Sequence, residues 1–248
     1  MCLYILFYQS HPDYPIILAG NRDEFYERKA LPLHHWVEQP GIAGGIDLKE
    51  GGSWLAVNNS GKFAVVTNYR DPKNIKDTAV SRGTLVSDFL IREYGYEEYL
   101  NIIAENNRDY NGYNLIIGNP HEVYYYSNMI HHYRKLAGGI YMLSNHLLDT
   151  PWYKALRAGK MCSEILNRGK EIDTDALFNV FTDQTTAPDD QLPDTGVGYT
   201  LEKMLSSIYI ESKVYGTMAT TILTIGNNGK ICMYEKTYKP DGQTSLRF

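Results

Sequence analysis

The chain has 248 residues, of which 43% are hydrophobic and 21% charged, and its formal net charge is -5 at pH 7. Such a composition can bury a sizeable core, and the acidic balance excludes the basic footprint of a generic nucleic-acid-binding protein. The cysteines Cys2, Cys162 and Cys232 form no zinc or haem-attachment motif and favour reduced thiols over a disulfide framework. No apolar stretch reaches the roughly 18 residues of a membrane span. We therefore expect a cytoplasmic protein without a membrane-spanning segment.

Two short apolar runs open the chain. Residues 2–8 and 15–20 are bounded by polar turn residues, a pattern typical of strands buried on both faces. We expect these strands to pair antiparallel around the turn at 9–14, and the second to end where the polar run 21–24 begins. Residues 26–40 include Pro32 and Pro40 and are predicted to be irregular.

The rest of the chain alternates between blocks of strands and blocks of helices. Predicted strands lie at residues 42–47, 54–57, 62–68, 113–118, 123–127, 131–136, 140–144, 208–215, 220–225 and 230–235. Predicted helices lie at 82–92, 96–105, 151–168 and 173–181, with Ser81 and Thr150 as expected caps, and residues 188–198 form the longest predicted loop. So many strands need two sheets or a barrel. We expect one α+β domain over residues 1–248, with two antiparallel sheets stacked face to face and the helices outside.

Cys2 is a candidate N-terminal nucleophile. If Met1 is removed, Cys2 carries both a thiol and an α-amino group, whose ordinary pKa of about 7.7–8.0 makes it a general base near neutral pH. Nucleophile and base then occupy one position in the chain. The alternative is that Cys2 is a small apolar core residue, as free cysteines commonly are.

The polar run after the second strand strengthens the nucleophile hypothesis. Antiparallel pairing would bring Gly20 and Asn21 beside Cys2. Asp23 could then hold the α-ammonium group, while Arg22 could lower the pKa of the thiol and bind a substrate carbonyl or carboxylate. The alternative is a solvated turn whose ion pairs are worth little.

Two asparagines occupy matching positions at the ends of predicted strands. Asn68 follows residues 64–67, and Asn145 follows residues 140–144. Such side chains can donate hydrogen bonds to an oxyanion, although asparagine is also a routine turn residue. The adjacent pairs His34-His35 and His131-His132 point apart on a strand, so no metal site is predicted.

A series of motifs gives a family resemblance. The motifs are Met1-Cys2, residues 18–26 (Leu-Ala-Gly-Asn-Arg-Asp-Glu-Phe-Tyr), 51–55, 67–70, 81–83, 110–115, 143–145, 148–152, 192–196 and 215–217. They follow one another in order through nearly the whole chain, and together they resemble the NRDE-motif family, the transport and Golgi organisation 2-like group. That family resembles the N-terminal nucleophile hydrolases, nearest the choloylglycine hydrolase and penicillin V acylase branch.

The resemblance implies a four-layer αββα sandwich and hydrolysis of a non-peptide C–N bond of a small acyl-amine through a thioester, without a cofactor. The catalytic residues it implies are Cys2, Arg22, Asp23, Asn68 and Asn145. The substrate-binding residues expected around them are Asn21, Glu24, Trp54, Tyr69, Arg70, Trp152 and Met218.

Two features leave other functions open. Met218 stands where the family commonly has an arginine after Tyr-Gly-Thr, and a retained Met1 would block the α-amino group. The rival hypothesis is a non-catalytic carrier of haem or of a lipid or acyl ligand, in keeping with the association of eukaryotic relatives with haem trafficking and lipid handling. A third is an interaction protein whose Cys2 is only a core residue. The sequence is compatible with a homo-oligomer.

Overall fold

Two antiparallel sheets stack face to face in the computed structural model, which describes residues 2–92, 94–169, 171–239 and 241–248. The strands are β1 (Cys2–Tyr8), β2 (Ile16–Phe25), β3 (Ala30–His35), β4 (Ile42–Asp47), β5 (Leu55–Asn58), β6 (Phe63–Asn68), β7 (Tyr113–Gly118), β8 (Val123–Ser127), β9 (His132–Lys135), β10 (Gly139–Leu143), β11 (Tyr215–Ile225), β12 (Ile231–Tyr238) and β13 (Asp241–Arg247). The helices are α1 (Gly83–Ile91), α2 (Tyr96–Glu105), α3 (Tyr153–Leu166), α4 (Thr174–Val180) and α5 (Tyr199–Met204). The first sheet has the order β10-β1-β2-β11-β12-β13, and the second has the order β3-β4-β5-β6-β7-β8-β9.

The alternation of side chains along buried strands produces the layers. On β1, Tyr4 and Leu6 pack between the two sheets, whereas Leu3 and Ile5 pack against α3 and α4. Helices α1 and α2 cover the outer face of the second sheet through residues such as Phe89. The α+β sandwich of two stacked antiparallel sheets, with helices outside, is therefore confirmed. No helix in the described ranges is long and apolar enough to cross a membrane.

The sequence predicted that strand β2 ends before the polar run 21–24. In the structure, β2 continues through this run to Phe25. The cause is β11, which pairs with β2 along its whole length. The Thr217 hydroxyl donates a hydrogen bond to Asp23 at 2.7 Å, and the Thr220 hydroxyl donates one to Asn21 at 2.6 Å. Polar side chains can remain inside a buried strand when such partners satisfy them.

The register of β1 against β2 differs from the prediction in a way that matters for the site. Arg22, rather than Gly20 or Asn21, lies opposite Cys2, and Gly20 lies opposite Tyr4. The hairpin is closed by the Gln9 N–H, which donates to the Pro15 carbonyl at 2.8 Å.

The sequence also missed two strands at sheet edges. β3 lies inside the segment predicted to be irregular, and it tolerates Pro32 because an edge strand does not need every N–H for pairing. β13 is a polar edge strand without a hydrophobic pattern, which is how natural sheets discourage further pairing.

Two further differences lie before β11. The strand predicted at 208–215 is wrong, because the Ser212 hydroxyl accepts the Tyr215 N–H at 3.0 Å and forms a turn, and β11 begins only at Tyr215. The short helix α5 was not predicted. Helix α2, in contrast, has the predicted bounds of residues 96–105.

Replacing Gly20 by alanine should destabilise the fold. A Cβ at this position would collide with the Leu3 carbonyl oxygen and the Tyr4 ring, on the strand that carries Cys2. We expect the free energy of unfolding to fall by about 1–3 kcal/mol, the usual cost of overpacking. Urea denaturation of Gly20→Ala measures the effect, and Gly169→Ala is the control because nothing lies within 4 Å of its Cβ. Equal stability of the two variants would contradict the prediction.

Candidate active site

A charged cavity of about 210 Å³ lies at the start of β1 and is called the Cys2 cavity below. Its walls come from the ends of β2 and β6, from the segment after β4, and from the segment that leads into α1. The charged residues that line it are Arg22, Asp23, Glu24, Arg28, Asp47, Glu50, Lys76, Asp77 and Arg82. Of the predicted site residues, it brings together Cys2, Arg22, Asp23, Glu24, Trp54 and Asn68.

Cys2 is 8% exposed, and burial raises the pKa of its thiol above the ordinary value. A hydrogen bond from the Asp23 backbone N–H and the charge of Arg22 act in the opposite direction on this pKa, but burial is the larger effect. Arg22 therefore acts in the direction the sequence predicted without producing a low pKa. The sulfur is protonated near neutral pH, and a nucleophile of this kind needs a base that removes its proton.

Two side chains, Trp54 and Asp47, orient Arg22. Its guanidinium carbon lies 4.4 Å from the centroid of the Trp54 ring, a cation–π contact. Its Nη2 donates to Asp47 Oδ2 at 3.3 Å, and Arg28 Nε donates to the same oxygen at 2.7 Å. Asp47 was not predicted from the sequence, although it is the carboxylate that aligns the arginine opposite Cys2.

Asp23 lies beneath the cavity on the helical side of the first sheet. Its Oδ1 accepts the Thr217 hydroxyl at 2.7 Å. Burial raises the pKa of this carboxyl group, and the strongest opposing effect comes from Lys154 on α3. A buried carboxylate of this kind depends on its counter-charges to stay ionised.

Lys154 is the residue that sequence reasoning missed most clearly. It is 2% exposed, and its Nζ donates no hydrogen bond to any residue within the described ranges. Burial lowers the pKa of this ammonium group to about 8. A lysine in the first turn of a helix usually faces solvent, so the sequence carried no signal for this arrangement.

The two predicted oxyanion donors have different positions. Asn68 lines the Cys2 cavity. Asn145 is fully buried outside it, where its Nδ2 donates to the Asn68 carbonyl at 3.0 Å and its own carbonyl accepts the Arg70 N–H at 2.8 Å. The geometry therefore makes Asn68 the candidate donor and Asn145 the residue that holds its backbone.

The predicted substrate-binding residues do not all line one cavity. Asn21 faces the helical layer, where its Nδ2 donates to the Phe181 and Ile208 carbonyls at 2.9 and 3.0 Å. Trp152 lies outside the Cys2 cavity, with its ring 4.9 Å from the Arg70 guanidinium carbon.

Met218 lines a different cavity of about 350 Å³, whose wall also contains Arg22 and Trp54. Tyr69 and Arg70 line a third one, described next.

An apolar chamber of about 610 Å³ adjoins the Cys2 cavity. The two share Glu24, Asn68, Arg82 and Asn111 as wall residues. Its remaining walls are mostly apolar and come from the segment before β11, from α5 and from the segment after β6, including Phe25, Tyr69, Ile75, Val197, Leu201, Met204, Leu205, Val214 and Tyr215. A ligand with one charged end and one apolar end would fit this pair of spaces.

Asp47→Asn should weaken the fold in a pH-dependent way. Partial burial raises the pKa of Asp47, but hydrogen bonds from Arg28 and from backbone N–H groups outweigh it and lower the pKa overall. A lowered carboxyl pKa adds stability above the unfolded-state value of about 3.9, and this stability is lost as the pH falls through the folded-state value.

We expect Asp47→Asn to reduce the free energy of unfolding at pH 7 by about 1 kcal/mol, since its partner Arg28 is 28% exposed and solvent screens the pair. The difference from wild type should shrink as the pH falls below the folded-state pKa. Urea denaturation over a pH series measures it, with Asp190→Asn, an exposed residue, as the control. A loss that did not change with pH would argue against the ion pairs.

Comparison with known proteins shows the family of this chain. The sequence model of the family described as Transport and Golgi organisation 2 matches residues 1–240. The Transport and Golgi organization protein 2 homolog of Bos taurus is 32% identical over 256 residues, covering 95% of this chain and 92% of the relative. Transport and Golgi organization protein 2 of Drosophila melanogaster is 28% identical over 268 residues, covering 96% and 92%.

Among solved structures, the fold is similar to that of a mutant conjugated bile acid hydrolase from Clostridium perfringens. The TM-score is 0.52 at 10% sequence identity, with 99% of this chain and 92% of the other covered. At that identity the likeness concerns the fold alone, and it agrees with the expected sandwich of two stacked antiparallel sheets. The sequence matches carry the stronger conclusion: this chain belongs to the transport and Golgi organisation 2 family.

Proposed function

We propose that this protein is an N-terminal nucleophile amidohydrolase that cleaves the non-peptide C–N bond of a small acyl-amine, with Cys2 as the nucleophile. The observation that carries the proposal is the setting of Cys2. Arg22 lies opposite it, and the Asp23 N–H lies at its thiol, at the floor of a charged cavity. Met1 lies outside the described residues, and its removal is part of the proposal.

In the first half of the reaction the free α-amino group of Cys2 accepts the proton of the thiol. The sulfur then attacks the carbonyl carbon of the substrate and forms a tetrahedral intermediate. The protonated α-amino group gives its proton to the leaving nitrogen as the C–N bond breaks. The products of this step are a free amine and a thioester between the acyl group and Cys2.

In the second half, water attacks the thioester carbon while the α-amino group takes one proton from the water. The second tetrahedral intermediate collapses, the C–S bond breaks, and the proton returns to sulfur. The acyl group leaves as a carboxylic acid, and the enzyme regains its starting state. Nucleophile, acid and base thus require only Cys2 and an ionised Asp23 that holds the ammonium form of the α-amino group.

Asn68 is our candidate for the oxyanion donor, because it lines the cavity at the end of β6. Asn145 supports it by its hydrogen bond to the Asn68 carbonyl, at 3.0 Å. Arg22, aligned by Trp54 and Asp47, is our candidate for binding the substrate carbonyl or a nearby carboxylate. Preorganised donors of this kind are effective because they do not reorganise during the reaction.

The adjoining apolar chamber suits the acyl group. A chain that enters from the Cys2 cavity passes the shared wall residues Asn68 and Arg82 before it reaches the apolar walls. Arg82 is held there by a hydrogen bond to the Gly112 carbonyl at 3.1 Å, and burial lowers its pKa. The leaving amine would lie on the charged side.

The same chamber favours a second candidate function, a non-catalytic carrier of a lipid, acyl or haem-like ligand. Its volume of about 610 Å³ and its apolar walls suit a bulky hydrophobic guest whether or not Cys2 reacts. Among its described wall residues, Met204, Tyr69 and Tyr215 are the side chains able to ligate a haem iron. Under this alternative, the raised thiol pKa of Cys2 would simply keep the sulfur unreactive.

The decisive measurement is turnover of a panel of N-acyl amines of increasing chain length, read from the released amine. Before the assay, the intact mass of the protein establishes whether Met1 is present. We expect hydrolysis by the Met1-free protein, and a loss of roughly 10³-fold or more in Cys2→Ala, because removing a nucleophile leaves only binding and electrostatic effects. Cys232→Ala is the control, since Cys232 lies on β12, away from the cavity.

Full activity in Cys2→Ala would sink the proposal. Absence of turnover in a Met1-free wild-type protein, together with saturable binding of acyl ligands or haem that Cys2→Ala preserves, would favour the carrier.

A further inference from the structure

Lys154 is a buried charge whose position needs an explanation. It lies in the first turn of α3, packed under the first sheet, and is 2% exposed. Its Nζ has no hydrogen-bond partner within the described ranges. A buried ammonium group without a partner costs stability, so chains retain one where a nearby charge or a function requires it.

Four groups act on Lys154 electrostatically: Asp23 on β2, Cys2 on β1, Arg70 after β6 and Glu202 on α5. Glu202 is already satisfied. Its Oε2 accepts Arg70 Nη1 at 2.7 Å, while its Oε1 accepts both the N–H and the hydroxyl of Thr195 at 2.7 and 2.6 Å. Asp23 lies on the same helical face of the first sheet on which α3 packs, and among the charges around Lys154 its carboxylate has the largest favourable effect on the ammonium group.

Lys154 has no direct access to a substrate. It does not line the Cys2 cavity, but borders a void of about 10 Å³ together with Arg70, Trp152 and Glu202. A space of this size holds about one water molecule. Any influence of Lys154 on the reaction must therefore pass through another residue.

We propose that Lys154 is a positioning residue of the Cys2 site, whose ammonium group keeps the buried Asp23 carboxylate ionised so that this carboxylate can hold the α-amino group of Cys2. The inference rests on the proposed function and deepens it. It identifies the group that most strongly opposes the effect of burial on the Asp23 carboxyl group beneath the nucleophile. It also gives a reason why Lys154 is buried, although a lysine on a helix usually faces solvent.

The first test measures the ionisation of Asp23 in the full chain, from the pH dependence of its side-chain carboxyl ¹³C signal, assigned with Asp23→Asn. In Lys154→Met, which keeps the length of the side chain without its charge, the pKa of Asp23 should rise by about one pH unit or more. Lys154→Arg should restore it. Lys160→Met, at an exposed position of the same helix, should leave it unchanged. An Asp23 pKa that is equal in Lys154→Met and Lys160→Met overturns the proposal.

A reciprocal measurement protects the test if Lys154→Met folds poorly. In Asp23→Asn the pKa of Lys154, followed through its ¹³Cε signal, should fall below the wild-type value of about 8 because the attraction is gone. An unchanged Lys154 pKa in Asp23→Asn contradicts the pairing.

Kinetics test the positioning role separately. With a substrate from the N-acyl amine panel, Lys154→Met should lower kcat roughly tenfold or more with little change in KM, since Lys154 does not touch the substrate. Lys154→Arg should recover most of this loss. A wild-type kcat in Lys154→Met overturns the positioning role. A panel without any turnover would remove the proposed function, while the Asp23 titration would still decide whether Lys154 controls that carboxylate.

Discussion

The pairing of β2 with β11 is the constraint on which the site depends. It carries three polar residues, Asn21, Arg22 and Asp23, through the interior of a sheet that is covered on both faces. The hydroxyls of Thr217 and Thr220 make this possible by satisfying the two side chains that point to the helical layer. Without them each buried group would cost about 1–3 kcal/mol. The polar residues 21–23 are thus part of the sheet structure, and the face of β2 on which each side chain lies decides which groups it contacts.

Alternation along β2 divides the charges between two sides of Cys2. Arg22 points between the sheets, where Trp54 and Asp47 of the second sheet hold it in the cavity wall. Asp23 belongs to the other face, where the helical layer supplies Lys154. Cys2 lies where the two sides meet, at the first residue of β1. In the mechanism that we propose, the substrate contacts Arg22, and Asp23 supports the α-amino group from the helical side of the sheet.

How much of this could be predicted depends on whether local pattern or tertiary packing decides each feature. The buried strands β1 and β2, the bounds of α2 and the stacking of two sheets follow from hydrophobic periodicity, so the sequence predicted them. The edge strands β3 and β13 have no such periodicity, because each needs partners on one side only. Arg22 opposite Cys2 depends on how the turn at 9–14 closes, which the pattern leaves open. Lys154 and Asn145 resemble ordinary helix and turn residues until the packing around them is known.

In the mechanism that we propose, the raised pKa of the Cys2 thiol makes the charges on the helical side of the first sheet important. Transfer of a proton from this thiol to an α-amino group of ordinary pKa is unfavourable by about 1.4 kcal/mol for each pH unit that separates the two. Arg22 and the Asp23 N–H reduce this difference because both lower the pKa of the thiol. An ionised Asp23 would also reduce this difference, because a nearby carboxylate raises the pKa of an amine. Burial of Asp23 in turn opposes its ionisation. The ammonium group of Lys154, in the helical layer, acts against this effect of burial. The transfer of the thiol proton of Cys2 to the α-amino group, and the charges that favour it, therefore separate a hydrolase from a carrier on this fold.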